Sequence, residues 1–356
     1  MSRDSVKSRG SLCWRFRQRV ATGFIMLSIG LGWSSCRQQE EDEDPKGDVD
    51  LEELLSHGDT GEDGGAAEGV GAHSPPEPKG KTQVVMLGTG TPAADPSRAG
   101  PGVAVVVGKR SYLVDCGAGV VRRAAAAAQL GFKALLAKNL RRVFLTHLHS
   151  DHTVGLPDLW LSPWVLGRTA PLEIYGPPGT RNLAKYTRRA YRADVQVRQS
   201  GPEPANPVGK QILATEVLPG LIYRDEHVRV QAFRVKHGRW RHAYGYRFQT
   251  QDRVIVVSGD TVPTETVVKA CNGCDVLVHE VYSSHGAKRL LPSRRAYHRM
   301  SHTSAYELAE LAKRARPKLL VLYHQLLWGV SETRLLGEIQ AYYPGPVVSA
   351  EDLDVF

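Results

Sequence analysis

The sequence predicts an α/β domain over residues 81–356, behind an export segment at 1–36 and an acidic linker at 37–80. Three observations carry this reading. Short apolar runs rich in Val, Ile and Leu recur between turn residues, as buried strands do. Several of these runs end on His or Asp, where α/β folds tend to place chemistry. The C-terminal third alternates helix-like with strand-like segments. The stretch from Lys81 onward is long enough for one large domain with its own core.

Arg3, Lys7, Arg9, Arg15, Arg17 and Arg19 precede the apolar segment Ala21–Trp33. A basic region followed by an apolar stretch too short for a comfortable membrane span is the pattern of an export signal. Ser34 and Ser35 then precede Cys36, the pattern of lipoprotein processing, which would acylate Cys36 and anchor the chain to a membrane. Trp33 stands where such boxes usually carry leucine, so an uncleaved anchor, conventional cleavage and a cytoplasmic protein stay open beside a periplasmic or membrane-anchored one. Residues 37–80 hold the acidic run Glu40–Asp44 and much Gly, Pro and Ala, but few large apolar residues. That composition cannot bury a core and reads as a disordered tether, with His57 and His73 solvated.

Within the domain, strands are expected at Gln83–Leu87, Val103–Gly108 and Ser111–Val114, the last two joined by a turn at Lys109-Arg110. The alanine-rich stretch Ala118–Ala137 is expected to be helical. Arg142–Leu145 is a strand, and Leu156–Leu166 a partly helical stretch interrupted by Pro163. A strand at Leu172–Tyr175 leads to a helix near Arg181–Tyr191. Val195–Gly220, with Pro202, Pro204 and Pro207, reads as a loop-rich insertion on the substrate side. Strands follow at Val228–Val235, Tyr244–Gln249 and Val254–Val257. Then come a helix at Pro263–Ala270, a strand at Val276–Val278, a helix at Ala305–Ala315, a strand at Leu319–Leu322, a helix at Glu332–Tyr342 and a strand at Val347–Val348.

The chemistry concentrates in Thr146-His147-Leu148-His149-Ser150-Asp151-His152, directly after the strand at Arg142. Imidazole nitrogen and carboxylate oxygen suit zinc and similar borderline metals, and hydrolysis needs an open coordination position. His147 and His149 leave the strand on one side, and the adjacent Asp151 and His152 can face a second ion. Two ions need more ligands, and later strand ends offer them: His237 after Val230–Lys236, Asp260 after Val254–Gly259, and His324 after Leu319–Tyr323.

At this point the chain resembles the metallo-β-lactamase superfamily and, within it, the ribonuclease Z-like branch. The matching pieces are Leu87-Gly-Thr-Gly-Thr-Pro92, Val114-Asp-Cys-Gly117, the His147–His152 loop and Ile174-Tyr-Gly-Pro-Pro-Gly179. They continue with Ala243-Tyr-Gly-Tyr246, Ser258-Gly-Asp-Thr261, Val278-His-Glu280, Ser301-His-Thr-Ser304 and His324. The resemblance implies an αββα sandwich of two mixed sheets flanked by helices. It also implies a dinuclear zinc centre, with manganese or iron as alternatives. His147, His149 and His237 would hold one ion; Asp151, His152 and His324 the other; Asp260 would bridge. A water between the ions, its pKa lowered, would become the hydroxide nucleophile, oriented by Asp151. His302 would give a proton to the leaving oxygen, held in its tautomer by Glu280. A purely structural alternative puts His302 at a helix start among the capping groups Thr303 and Ser304.

Three departures from the branch stand out. True ribonuclease Z proteins carry a long tRNA-gripping arm between the motifs matched by Tyr246 and Ser258, and here only Arg247–Val257 separates them. Ala118 stands where the branch usually has glutamate, and Ser150 where it usually has glycine. His149–Trp160 and Pro163–Arg168 look more like the exported arylsulfatase-type members.

The domain carries 37 Lys and Arg against 22 Asp and Glu, a net +15 that would steer anions toward a site. Three clusters interleave base with aromatic as nucleic-acid surfaces do: Arg188–Arg192, Arg239–His242 and Arg294–Arg299. The last two, near His237 and His302, are the better candidates for substrate contact. Cys271 and Cys274 read as two buried free thiols rather than a disulfide, and Cys116 as a small buried residue.

These readings converge on a dinuclear zinc hydrolase of anionic small-molecule esters, either phosphodiester or aryl sulfate. The first alternative is a ribonuclease Z-type endoribonuclease acting on tRNA 3′ ends. The second is a non-catalytic zinc-binding module. Membrane attachment through Cys36 and a homodimer are left open as partners.

Overall fold

Along β1 (Thr82–Gly88), β2 (Gly102–Val107) and β3 (Arg110–Val114), apolar residues fill both faces, so these strands need a cover on each side. The computed structural model, which describes residues 81–202 and 204–356, supplies both covers. The export segment, the tether, Cys36, His57 and His73 lie outside the described residues. β1, β2 and β3 pair antiparallel and continue in parallel through β4 (Arg142–Phe144), β5 (Leu172–Gly176) and β6 (Ile212–Glu216), in chain order.

A second sheet holds β7 (Gly220–Arg224), β8 (Arg229–His237), β9 (Trp240–Gln249), β10 (Val254–Val257), β11 (Val276–Tyr282), β12 (Leu319–Leu326) and β13 (Val347–Ser349), ordered β13-β12-β11-β10-β9-β8-β7. Its β7–β10 part is antiparallel and its β10–β13 part parallel.

Alternate residues of the first sheet, among them Val84, Met86, Tyr112 and Phe144, meet Tyr246, Phe248, Val257 and Tyr323 of the second. The Phe144 ring lies 5.7 Å from Tyr246 and 5.6 Å from Phe248. On the outer face, Val85, Leu113 and Val143 pack on α1 (Val120–Gln129) and on residues of α2 (Ser150–Thr153), α3 (Leu156–Val165) and α4 (Thr180–Ala190) or their flanks. On the far side, Val256, Leu277 and Leu320 pack on helices that follow α5 (Arg192–Ser200), namely α6 (Glu265–Cys271), α9 (Ala305–Ala315) and α10 (Glu332–Gln340). Two short helices, α7 (Ser284–Ala287) and α8 (Pro292–Ser301), precede α9. This is the αββα sandwich that the resemblance implied. Among the described residues no helix is long and apolar enough to cross a membrane.

Several local expectations are corrected. The helix expected to Ala137 stops at Gln129, because Gly131 at φ 111° turns the chain out of it; two 3-10 turns follow. The turn between β2 and β3 sits at Gly108-Lys109, one residue early, with Gly108 at φ 57°. Pro163 does not interrupt α3. The Leu159 carbonyl, orphaned by the proline's missing N–H, accepts instead from Arg168 Nη1 at 3.0 Å. The buried Arg168 guanidinium also donates to the carbonyls of Leu140, Trp160, Ala170 and Gly209.

The expected loop at Val195–Gly220 contains the end of α5 and all of β6. Val195, Ile212 and Ala214 find apolar partners on the helical side of the first sheet, and packing there outweighs the local proline content. Its remaining loop is tied down by the Trp160 and Trp164 indoles, which donate to Lys210 O and Asn206 O at 2.8 Å each. Cys271 and Cys274 are disulfide-bonded, not free: Asn272 and Gly273 take positive φ and bring the two Cα atoms to 4.6 Å. Cys116 is buried, as expected.

Candidate metal centre

Past β4 the chain leaves the sheet through Leu145 and Thr146 into the histidine loop, which is anchored by Asp115 at the end of β3. One Asp115 oxygen accepts the Thr146 N–H at 2.8 Å. The other accepts the Thr146 hydroxyl at 2.8 Å and faces His152 Nδ1 at 2.7 Å. Asp115 takes φ 61°, a conformation that Asp tolerates better than most residues. The loop packs so closely that a Cβ on Gly117 would sit 2.6 Å from Asp151 O, and one on Gly155 2.3 Å from Gly117 O. With Nδ1 tied to Asp115, His152 presents Nε2 to the interior, where it has no hydrogen-bond partner.

The other expected ligands arrive from the second sheet. His237 closes β8, with Nδ1 2.7 Å from Ser301 O. Asp260 follows the turn at Gly259, which adopts φ 61°. His324 was expected beyond the end of its strand. Instead β12 runs on to Leu326, and His324 is the extra residue of a bulge between Glu280 and Val281, at φ 47°.

All seven converge. His149 Nδ1 lies 2.8 Å from His147 Nε2 and 3.1 Å from His237 Nε2. His324 Nε2 lies 3.3 Å from Asp151 Oδ2, and His152 Nε2 lies 3.5 Å from the same oxygen. Asp260 touches both groups: Oδ1 is 3.4 Å from His152 Nε2, and Oδ2 is 3.6 Å from His324 Nε2 and 3.8 Å from His237 Nε2. His147, His149, His237 and Asp260 offer one set of ligand atoms within 4.8 Å of one another; Asp151, His152 and His324 offer another.

The protonation pattern follows from the donors. Trp240 Nε1–H points at His149 Nε2 from 2.7 Å and fixes the ring with Nδ1 turned toward His147 and His237, as the atom that would ligate. His147 Nδ1 faces the Thr146 hydroxyl at 3.0 Å, which donates to Asp115, so His147 keeps Nε2 for an ion.

Burial pushes His147 well below its ordinary pKa and His149 down to about 4. For His152 burial works the same way, but Asp260 and Asp115 outweigh it and hold the ring well above its usual range. Burial would raise Asp260, yet His324, His152 and His237 keep it well below the carboxylate range. Asp260 Oδ1 and His324 Nδ1 are, like His152 Nε2, buried without hydrogen-bond partners. Buried polar atoms in folded proteins are normally satisfied, and five imidazoles with two carboxylates form the donor set that zinc and similar cations take. The residues therefore fit a pair of metal ions.

His302 sits beside this cluster at the end of α8, its ring 5.0 Å from that of His237 and 5.7 Å from that of His324. Its Nδ1 lies 3.4 Å from Glu280 Oε1 and 3.9 Å from Asp260 Oδ2. That Glu280 oxygen already accepts the N–H groups of Thr261 and Thr303, at 3.1 Å and 3.0 Å. Burial lowers His302 to about 4; burial, then Asp260, raises Glu280 well above its ordinary value. Helix capping falls to Ser304, which forms a capping box with Glu307 and leaves the His302 ring free of that task.

Sequence reasoning gave no role to Asp115 or Trp240. Asp115 lay inside the Val114–Gly117 motif, a signal that could have found it. Trp240 had only its place in a basic–aromatic cluster.

A profile for the beta-lactamase superfamily domain matches residues 110–325. Ribonuclease Z of Mycobacterium sp. (strain KMS) is 36% identical over 248 residues, covering 68% of this chain and 84% of that protein. The human tRNase Z short form (ELAC1) superposes with a TM-score of 0.57 at 26% identity, covering 77% of this chain and 98% of the other. The metallo-beta-lactamase fold protein YhfI from Bacillus subtilis gives the same TM-score at 19% identity, with 77% and 98% covered.

Proposed function

The chain belongs to the beta-lactamase superfamily, in its ribonuclease Z-like branch, and is a metal-dependent hydrolase; we propose that its substrate is the phosphodiester backbone of RNA. Sequence alone put small anionic esters first, and the similarity to ribonuclease Z proteins over most of their length now favours the branch's nucleic-acid reading. The observation that carries it is the conjunction of the two donor sets with His302 and Glu280 at one buried focus.

In this reading His147, His149, His237 and Asp260 would hold one zinc ion, and Asp151, His152 and His324 the other, with Asp260 in contact with both sets. Bound zinc supplies Lewis acidity and lowers the pKa of water at neutral pH. Asp151 orients the attacking water. As the phosphorus–oxygen bond to the leaving group breaks, His302 as imidazolium would give that oxygen a proton, and Glu280, beside Nδ1, would hold the ring in the right tautomer.

An aryl sulfate or other small ester is the second reading, favoured by one observation. β9 and β10 are joined by Thr250–Arg253 alone, so nothing projects where tRNA-gripping members carry an arm. Export is part of the proposal, and the Cys271–Cys274 disulfide supports an oxidising compartment. An exported enzyme would meet RNA other than the cell's own precursor tRNA, so localisation separates an RNA-degrading from a tRNA-maturing role.

The test offers the zinc-loaded full-length chain an RNA with a 3′ trailer, bis(p-nitrophenyl) phosphate and p-nitrophenyl sulfate. Chelator-sensitive cleavage of the RNA supports the proposal. Turnover of the sulfate alone overturns it.

A further inference from the structure

Two basic–aromatic stretches that lie far apart in the chain meet beside the metal ligands. β8 ends at His237, turns at Gly238 and re-enters the sheet at Trp240, the start of β9. The last turn of α8 is fastened to this hairpin: Gly238 N donates to Met300 O at 3.1 Å, next to the His237–Ser301 contact. Between them opens a cavity of about 900 Å³ with His149 and His237 in its wall. Lys236, Arg239 and Arg299 bring three cations to its wall, and Trp240, Tyr297 and Met300 bring aromatic and apolar surface. Its one acidic wall residue, Glu307, is engaged in the Ser304 capping box. None of the three cations forms an ion pair among the described residues. Tyr297 and Met300 are 47% and 62% exposed, large side chains left facing water at the mouth of a catalytic centre.

We propose that this cavity seats an unpaired nucleotide next to the scissile phosphodiester, its base against Trp240 and Tyr297 and the continuing backbone phosphates against Lys236, Arg239 and Arg299. The proposal rests on the RNA reading above and narrows it to single-stranded, polyanionic substrate. A lone aryl sulfate or phosphodiester carries a single negative charge, which the metal centre itself would meet. Three further cations suit a substrate that goes on as a chain of phosphates. Aromatic faces can be reached only by a base outside a duplex, and stacking on them tolerates any sequence. The volume lies within the range of pockets that enclose one small ligand, large enough for a single nucleotide and its flanking phosphates.

The test measures binding, so it does not depend on turnover. The zinc-loaded full-length chain is titrated into a fluorescein-labelled single-stranded RNA whose phosphorothioate linkages resist cleavage, and anisotropy is followed over a range of salt. Arg239→Ala and Arg299→Ala should each weaken binding and lower the slope of log affinity against log salt by about 0.7. Arg299→Lys, which keeps the charge, should keep the slope. Tyr297→Ala should weaken binding about five- to hundredfold with the slope unchanged, and Tyr297→Phe should restore it. A duplex of the same sequence should compete poorly. Unaltered affinity in the Arg and Tyr variants, each shown to unfold at the wild-type temperature, overturns the proposal. If unmodified RNA is nevertheless cleaved, the hydrolase reading stands without it. The expected pattern of binding in a chain that cleaves no RNA would keep the nucleotide seat and remove the hydrolase reading. No RNA binding at all overturns both.

Discussion

Asp115→Asn isolates what one buried carboxylate does for the metal centre. The substitution preserves size, and Asn tolerates the φ of 61° as Asp does, so the backbone has no reason to move. What changes is the count of acceptors. The carboxylate serves three donors: Thr146 N, the Thr146 hydroxyl and His152 Nδ1. An amide offers one accepting oxygen and one donating nitrogen. With its oxygen left on Thr146 N, the new NH₂ faces the other two. The Thr146 hydroxyl can rotate and accept. His152 can avoid a donor–donor contact only by shifting its proton from Nδ1 to Nε2, the atom it aims at Asp151 and Asp260. A protonated Nε2 cannot ligate. Losing such a hydrogen-bonded partner of a metal-ligating histidine costs about 10–100-fold in affinity, or roughly 1.4–2.8 kcal/mol. Competition against a chromophoric chelator would read this directly, and the loss should fall first on one of two metal equivalents. A folded Asp115→Asn protein that holds both equivalents as tightly as wild type would refute the reasoning.

Three further outcomes are expected. His302→Ala should keep its metal content but cut turnover of a substrate with a poor leaving group by about 10²–10⁴-fold; an equal loss on a p-nitrophenyl ester, whose leaving group needs no proton, would remove the proton-donor role. Arg168→Met would strand five buried carbonyls and should cost about 3–5 kcal/mol, a fall of roughly 6–15 °C in Tm, whereas a shift within about 2 °C would mean water replaces the guanidinium. Asp225→Asn tests acid stability. Burial would raise the Asp225 pKa, but hydrogen bonds from Tyr112, Tyr223 and the His227 and Val228 amides outweigh it and hold it below the ordinary value. A lowered folded-state pKa contributes stability above the unfolded pKa that is lost as pH falls through the folded one. The wild-type advantage in urea midpoint should therefore be constant above about pH 5 and shrink below about pH 4; a gap independent of pH down to about 3 would exclude the carboxylate as its source.

The parts of the fold legible in the sequence are those where local and tertiary signals agree. Ala305–Ala315 was read to the residue, because Ser304 and Glu307 mark its start and its apolar stripe meets the second sheet. β4, β10 and β12 were legible as apolar runs because both faces are buried, and β8 by its alternation, with one face exposed. Where tertiary contacts overrule local preference the reading failed. β6 and β7 lie at sheet edges, half exposed, so neither shows a strong apolar run. α8 is largely polar and exposed, and only its position against the β8–β9 hairpin gives it meaning. Pro163 signalled a break that a distant guanidinium repairs. At the site, ligand types and spacing were visible in one loop and strand ends offered His237, Asp260 and His324 as further ligands, but which ion each would serve came only from the resemblance. The orientation set by Asp115 and Trp240 is purely three-dimensional.

The distribution of ligands over the two sheets has a consequence for when the enzyme becomes reactive. His147, His149, Asp151 and His152 hang from the first sheet; His237, Asp260 and His324 hang from the second. Neither half alone offers a complete set for either ion with its bridging carboxylate. Metal ions held there would therefore fasten the two layers to each other, and their occupancy would report that the layers have docked. Ligand binding restricted to the native state adds about 4 kcal/mol of stability when the free ligand exceeds its dissociation constant a thousandfold. A newly made or unfolding chain is thus inert toward the esters around it. Hydrolytic power therefore requires both layers to be docked as well as metal to be present.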